Sequence, residues 1–149
     1  MKVLVAYATE LGSTAEVAER VAGILKSKGM QVELSQVSAV SDISSYEACV
    51  IGAPVMRFSF LPVARKFVET NREALGKIPV AFFTLGIIMK EDTPKSRKTM
   101  TGKLKVVTKH VIPIDIGLFG GRYRGNDYRD WSKITTWAEG LAEKLKQKK

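Results

Sequence analysis

The chain is 149 residues long, the length of a single domain (residues 1–149), and 45% of its residues are apolar, as in an ordinary globular protein. Its one cysteine, Cys49, excludes an intramolecular disulfide, and the apolar run in "MKVLVAYATE" is too short for a signal peptide or a membrane span, so we predict a cytoplasmic protein. The net charge is +9, and residues 90–149 hold 15 Lys or Arg against 7 Asp or Glu. This basic C-terminal part predicts an anionic partner or a peripheral contact with a membrane, and a solvated basic face is the alternative.

Strands and helices alternate in the first half of the chain. The apolar run "KVLVAYA" predicts a buried strand, and a helix that ends at Gly29 follows it. "MQVELSQV" alternates as a second strand, and "EACVIGAP" is almost continuously apolar, which is typical of a strand buried on both faces. "LPVARKFVETNREALG" predicts a second helix, with Pro62 in its first turn.

The second half continues this alternation. "IPVAFFTLG" predicts a fourth strand and "VIPIDIGLFGG" a fifth. Between them, residues 93–108 predict a weaker third helix that Asp92 or Thr93 would cap. The last helix follows Asp130, a good capping residue, and its apolar face comprises Ile134, Ala138, Leu141, Ala142 and Leu145.

This order of elements predicts an α/β fold. Strands that are apolar runs separated by helices form a parallel sheet, which helices cover on both faces. Ligands of such sheets bind beyond the carboxyl ends of the strands, where the strand order reverses. The loops that follow the first, third and fourth strands are therefore the candidates for a site: "TELGST", "GAPVMRFSFLP" and "TLGIIMKEDTP".

The loop "TELGST" has more polar groups than a strand-to-helix turn needs. Ser13 and Glu16 match a capping box, in which Ser13 caps the helix and Glu16 reaches back. The hydroxyls of Thr9 and Thr14 and the small Gly12 favour an anion cradle at the positive end of the helix dipole. The loop has neither the lysine of a P-loop nor the pattern G-x-G-x-x-G, so nucleoside triphosphates and dinucleotides are disfavoured.

The pattern T-x-x-G-S-T after the first strand resembles the FMN phosphate loop of the flavodoxin family. Gly52-Ala53-Pro54 and Thr84-Leu85-Gly86 resemble the two further flavin loops of that family, in the same order. The resemblance extends along nearly the whole chain, and it implies a flavodoxin-like three-layer sandwich with strand order 2-1-3-4-5 and FMN as the cofactor. It places around the FMN phosphate Thr9, Glu10, Leu11, Gly12, Ser13 and Thr14. It places beside the isoalloxazine ring Ala53, Pro54, Val55, Met56, Arg57 and Phe58, and also Thr84, Leu85, Gly86 and Ile87.

Three features depart from the electron-carrying flavodoxins. Those proteins are typically acidic, whereas this chain is basic. They often have a glycine whose peptide flips to stabilise one-electron-reduced flavin, whereas residues 55–58 contain none, and we expect a residue with a Cβ to resist the positive φ of such a turn. Arg57 would favour the fully reduced, anionic flavin, with a solvated loop arginine as the alternative. The missing glycine and the charge of Arg57 both lead us to expect two-electron chemistry, which the flavin itself carries out. Phe58 is either a residue that stacks on the ring or a cover for the second helix.

Within this family, the chain resembles the flavodoxin-type, quinone-dependent protoporphyrinogen dehydrogenases in "GAPVMRFSFLPVARKFV", "FFTLGIIMKEDTPKSRKTM" and "GLFGGRYRGNDYRDWSKITTWAEGLAEKL". This resemblance implies a small anionic substrate, a porphyrinogen, whose propionates would suit Arg122, Arg124 and the basic stretch 90–109. Those enzymes carry an additional segment before the last helix, and here "GGRYRGNDYRDW" leads almost directly into it. Two alternatives to such an enzyme also stay open: a non-catalytic FMN carrier that docks an acidic redox partner, and a flavin-free domain that binds another anion.

Other chemistries have little support in the sequence. No H-x-x-x-H or C-x-x-C motif and no nucleophile elbow is present, so we predict no metal site. His110, the only histidine, has no neighbouring carboxylate or cysteine and is interpreted as structural. Tyr123 and Tyr128 lie among arginines, but the patch is short, and nucleic acid is disfavoured as a partner.

Overall fold

The computed structural model of the protein describes residues 1–148. Its strands are β1 (Lys2–Tyr7), β2 (Gln31–Gln36), β3 (Ala48–Met56), β4 (Ser59–Phe60), β5 (Val80–Gly86), β6 (Asp115–Gly120), β7 (Arg122–Tyr123) and β8 (Asn126–Asp127). Its α-helices are α1 (Ser13–Ser27), α2 (Pro62–Thr70), α3 (Arg72–Leu75), α4 (Pro94–Lys103), α5 (Lys105–Thr108) and α6 (Trp131–Gln147). Short 3₁₀ turns span Val37–Ala39 and Ile87–Lys90. Residue 149 lies outside the described residues.

Five strands form a parallel sheet in the order β2-β1-β3-β5-β6. The fourth and fifth strands predicted from the sequence are β5 and β6, so the predicted order 2-1-3-4-5 is confirmed. The short β4 pairs antiparallel with the end of β3, and β7 and β8 form a separate hairpin. The strand order reverses between β1 and β3, which makes their carboxyl ends the expected position of a ligand.

The sheet is apolar on both faces, and helices cover both. Helices α1 and α6 pack on one face, and α2, α4 and α5 pack on the other. Successive residues of β5 alternate between the two cores, so that Phe82 packs with the second group of helices and Phe83 with the first. Both rings are fully buried, and burial of such a side chain contributes about 1.5–3 kcal/mol to the stability of the fold.

Two helices predicted as continuous are interrupted. The second is divided at Asn71, whose side-chain amide donates to the carbonyl of Phe67 at 2.9 Å and so competes with the backbone ladder. The third is divided at Leu104, two residues after Gly102, which weakens the helix locally. The last sheet strand begins at Asp115 rather than at residue 111.

The predicted helix caps are partly confirmed. The Thr93 hydroxyl accepts a hydrogen bond from the Ser96 N–H at 3.0 Å, and the Ser96 hydroxyl accepts one from the Thr93 N–H at 2.9 Å. Asp130 caps α6 by accepting from the N–H of Lys133. None of the helices in residues 1–148 is both long enough and apolar enough to span a bilayer.

Candidate functional site

A cavity of about 410 Å³ opens at the carboxyl edge of the sheet. This volume is within the range of sites that hold small molecules or cofactors. Its walls are formed by Thr9, Glu10, Leu11 and Ser13 and by the segments 54–58, 85–88 and 121–123. The first three groups belong to the three loops predicted from the sequence, so these loops do converge on one site.

The first loop is held by Thr9 and Gly12, and not by the predicted capping box. Gly12 is the N-cap of α1 in the left-handed conformation (φ 90°), and its N–H donates to the Thr9 hydroxyl at 2.9 Å. Ser13 is already the first residue of the helix and makes no side-chain cap. The capping-box prediction is therefore wrong, because a glycine with positive φ starts the helix one residue earlier and the Glu16 carboxylate accepts from Arg129 instead.

The start of α1 has unused hydrogen-bond donors. Helix geometry leaves the N–H groups of Ser13, Thr14 and Ala15 without an intrahelical acceptor. The Thr14 side chain is fully buried, and its hydroxyl has no hydrogen-bond partner within residues 1–148. A buried hydroxyl without a partner costs about 1–3 kcal/mol, so its presence beside free N–H groups points to an anion as the missing acceptor.

The hairpin between β3 and β4 has an unusual backbone. Arg57 and Phe58 connect the paired residues Met56 and Ser59, and their φ angles are 49° and 70°. Two successive positive φ values define a type I′ turn, which normally contains Asn or Gly. The expectation that side chains here would resist positive φ is wrong. The two-residue connection imposes this turn, because its twist matches that of the flanking strands.

The hairpin tip carries both charge and apolar surface. The Arg57 guanidinium lies 3.2 Å from the Glu10 carboxylate, so an ion pair joins the second loop to the first. The Phe58 ring is 83% exposed and does not cover the second helix; the ammonium group of Lys103 lies 5.9 Å from its centroid. Leu11, at 82% exposure, is a further apolar residue of the cavity rim.

The fourth wall of the cavity was not among the predicted cofactor-binding residues, although the resemblance had named Arg122 as a partner of the substrate's propionates. Gly121, Arg122 and Tyr123 line the cavity from the segment after β6, and Ile88 extends the third loop by one residue. This segment continues into a second hairpin with positive φ at Arg124 (49°) and Gly125 (82°). The available signal was the pair of glycines at the end of the fifth predicted strand, because that strand also ends at the carboxyl edge.

A buried arginine connects this second hairpin to the first loop. The side chain of Arg129 is only 5% exposed, and its guanidinium carbon lies 4.9 Å from the centroid of the Trp131 ring. It donates to the Ser13 carbonyl at 3.1 Å, to Glu16 at 2.9 Å and to both carboxylate oxygens of Asp127. The hydrogen bonds from Arg129 lower the pKa of the Asp127 carboxyl to about 2, so this carboxylate is charged at neutral pH.

The predicted site residues divide into two groups. Those that line the cavity are Thr9, Glu10, Leu11, Ser13, Pro54, Val55, Met56, Arg57, Phe58, Leu85, Gly86 and Ile87. Gly12, Thr14, Ala53 and Thr84 do not line it. Thr84 is buried with its hydroxyl unpaired among residues 1–148, on the same face of β5 as Phe82. Within these residues, no group of three or more His, Cys, Asp or Glu side chains is arranged to hold a metal ion.

Comparison with known proteins gives one family and one weakly similar group of enzymes. The family model for the flavodoxin domain matches residues 4–145. Protoporphyrinogen IX dehydrogenase [quinone] of Escherichia coli strain K12 is 26% identical over 101 residues, which cover 66% of this chain and 56% of that protein. The matched region therefore spans little more than half of the relative.

Solved structures show the same architecture. The flavodoxin of Streptococcus pneumoniae TIGR4 superimposes with a TM-score of 0.72 at 15% identity, with all of both chains covered. A flavodoxin from the domain Archaea gives a TM-score of 0.67 at 19% identity and covers 98% of this chain and 99% of its own. At such low identities the likeness establishes the fold alone.

Proposed function

The chain belongs to the flavodoxin domain family, and on this basis we propose that it is an FMN-dependent oxidoreductase that transfers electrons in pairs. FMN is the cofactor of this family and supplies the redox chemistry at its isoalloxazine ring when it is bound. The observation that carries the proposal is the positive-φ pair Arg57–Phe58 beside the cavity.

The residues of the cavity, together with the adjoining start of α1, fit FMN. The start of α1 offers the phosphate three free N–H groups and the unpaired hydroxyl of Thr14. Met56, Leu85 and Ile87 line the rest of the cavity with apolar surface, which suits a flat aromatic ring. We assign the phosphate to the loop 9–14 and the ring to the two loops 53–58 and 84–87.

The type I′ turn restricts the backbone next to the ring. A flip of the peptide between Arg57 and Phe58 would convert the turn to type II′. In that form the first central residue has φ near +60° and strongly negative ψ, a region that only glycine enters easily. The Arg57 side chain therefore opposes the flip that stabilises one-electron-reduced flavin in many flavodoxins.

The charge of Arg57 acts in the same direction. A guanidinium at the cavity wall favours the additional negative charge of fully reduced flavin. This effect is modest, because the side chain is 79% exposed and is paired with Glu10. The turn and the charge together favour uptake of electrons in pairs.

The rim of the cavity suits an amphipathic anion as substrate. Each of the two hairpins presents an aromatic ring and an arginine at the cavity: Phe58 and Arg57 on one, Tyr123 and Arg122 on the other. A porphyrinogen combines an apolar macrocycle with propionates, and the Escherichia coli relative is named for the oxidation of one by a quinone. In such a reaction, each turnover removes two electrons and two protons from the donor, and a quinone accepts both.

An anaerobic dithionite titration of the FMN-loaded protein, followed by absorption, tests the two-electron assignment. We expect the wild type to pass from oxidised to fully reduced flavin with little one-electron-reduced species. Arg57→Gly removes both the charge and the barrier to the flip and is expected to accumulate that species. Arg57→Gln removes only the charge and is expected to accumulate much less of the one-electron-reduced species. Phe58→Gly places a glycine at the second turn position but keeps the Arg57 side chain, so it serves as the matched control.

Two other outcomes would support the alternative functions. Stable one-electron-reduced flavin in the wild type, with salt-sensitive electron transfer to an acidic protein, would indicate a carrier. A protein that stays colourless and leaves FMN fluorescence unquenched would indicate a flavin-free domain that binds another anion. Protoporphyrinogen oxidation with a quinone acceptor is the first activity to assay.

A further inference from the structure

We infer that Arg129 is a positioning residue that makes the start of α1 able to accept a phosphate dianion by neutralising the carboxylate of Glu16. Arg129 joins three elements, since it contacts α1 at Ser13 and Glu16, β8 at Asp127 and the start of α6 at Trp131. This role rests on FMN binding, which is part of the proposed function.

Glu16 is unfavourable for the ligand that its helix is built to accept. It lies in the first turn of α1, where the helix dipole and the free N–H groups attract anions. An unpaired carboxylate there would occupy the same positive potential as the phosphate and would repel it. In the structure, Glu16 Oε1 accepts from Arg129 at 2.9 Å and lies 3.7 Å from the Arg122 guanidinium.

The charges that are ion-paired with Glu16, directly or through Arg129, balance as a group. Arg122 and Arg129 carry two positive charges, and Glu16 and Asp127 carry two negative charges. Removal of Arg129 would leave this cluster with a net negative charge next to the phosphate loop. Removal of Glu16 as well would restore neutrality, so the effect of the arginine is predicted to depend on the glutamate.

Arg129 acts through its neighbours and not as a ligand of the phosphate. Its Nε, Nη1 and Nη2 groups all donate within the protein, to Asp127, Ser13 and Glu16. Its side chain is buried and is absent from the walls of the cavity. Its bond to the Ser13 carbonyl also fixes the first residue of α1, whose N–H is one of the free donors.

Binding of FMN and of riboflavin to the apoprotein separates this role from a general structural one, because riboflavin has the same ring and no phosphate. Arg129→Gln is expected to raise the Kd of FMN roughly tenfold or more, while the Kd of riboflavin changes less than about twofold. The loss should shrink at high salt, since it is electrostatic. Glu16→Gln alone is expected to bind FMN more tightly than the wild type, and Glu16→Gln with Arg129→Gln should recover most of the lost affinity.

Several results would overturn the role. Equal weakening of FMN and riboflavin by Arg129→Gln, or no recovery in the double variant, would show that Arg129 only supports the fold. If Arg129→Gln fails to fold, Glu16→Gln still tests the role of Arg129. Unchanged or weaker FMN binding by Glu16→Gln would contradict the proposal that the Glu16 carboxylate must be neutralised for the phosphate to bind. If the wild type binds neither FMN nor riboflavin, the proposed FMN cofactor is wrong as well as the role of Arg129. If the wild type binds FMN but accumulates the one-electron-reduced species, only the two-electron assignment is wrong.

Discussion

The phenyl ring of Phe83 occupies the space that a side chain on Gly52 would need. The two residues are directly paired across β3 and β5, and a Cβ on Gly52 would lie 1.9 Å from Cζ of the ring. The ring has no room to move, because it is fully buried and packs edge-on against Trp137 at 6.1 Å between centroids. Gly52 is therefore required for packing at the point where β3 approaches the cavity.

Gly52→Ala is accordingly expected to destabilise the protein by about 3 kcal/mol or more, because overpacking against a fixed ring distorts the sheet. Urea unfolding of the wild type and of Gly52→Ala would measure this difference in the free energy of unfolding. Gly23→Ala is the matched control, since Gly23 is an exposed helical residue and a Cβ added to it would meet no atom within 4 Å. That change should stabilise the protein by about 0.5–1 kcal/mol. A neutral Gly52→Ala would contradict the packing described.

Thr14→Val is expected to have opposite effects on the apoprotein and on FMN binding. Valine removes a buried hydroxyl that lacks a partner, so the free energy of unfolding of the apoprotein should stay the same or rise by about 1 kcal/mol. The Kd of FMN should rise roughly tenfold, because a donor to the phosphate is lost. Thermal unfolding of the apoprotein and flavin titration measure the two effects.

Thr84→Val is the control for this prediction. Thr84 carries the same kind of unpaired buried hydroxyl but lies on β5, away from the phosphate loop. The ratio of FMN affinity to riboflavin affinity of the Thr84→Val variant should equal that of the wild type. If both variants change that ratio alike, the assignment of Thr14 to the phosphate is wrong.

Most of the fold could be predicted because the apolar periodicity of this chain is strong and local. The continuous runs that became β3 and β5 can only be buried on both faces, and the helices between them fix a parallel sheet. The start of α1 was harder, because Ser13 and Gly12 are both acceptable caps and the choice depends on the Thr9 hydroxyl and on a distant arginine.

The parts of the site that escaped prediction depend on tertiary contacts. Nothing local marks Arg57 for positive φ, since a two-residue hairpin imposes that conformation only once β4 has paired with β3. Arg129 lies 113 positions after Glu16, and the sequence gives no indication that the two meet. It was predictable in principle that the segment after β6 lies at the carboxyl edge of the sheet, but the hairpin of β7 and β8 is too short to produce a periodic pattern.

Cys49 is expected to be unreactive in the folded protein. It is buried in β3, and burial raises the pKa of its thiol to about 12. At pH 8, a disulfide reagent such as Ellman's reagent should label it only as fast as the protein unfolds, and completely in denaturant. Rapid stoichiometric labelling of the native protein would contradict its burial.

The ion pair between Asp127 and Arg129 should make stability depend on pH in the acid range. The hydrogen bonds from Arg129 lower the pKa of Asp127 from 3.8 to about 2, so the folded state favours the charged carboxylate. A lowered pKa in the folded state contributes stability that is fully present above the unfolded-state value near 4 and is lost as the pH falls toward about 2. Asp127→Asn should therefore lower Tm at pH 6 and have a shrinking effect below pH 4.

Thermal unfolding of the wild type and Asp127→Asn between pH 2 and pH 6 measures this dependence. Glu139→Gln is the control, because Glu139 makes no ion pair within residues 1–148 and should leave Tm unchanged relative to the wild type throughout this range. A constant difference in Tm between wild type and Asp127→Asn from pH 6 to pH 2 would mean that the asparagine alters packing of the hairpin and not its charge. A difference that vanishes near pH 2 would show that the charge of the carboxylate, through its ion pair with Arg129, stabilises the fold.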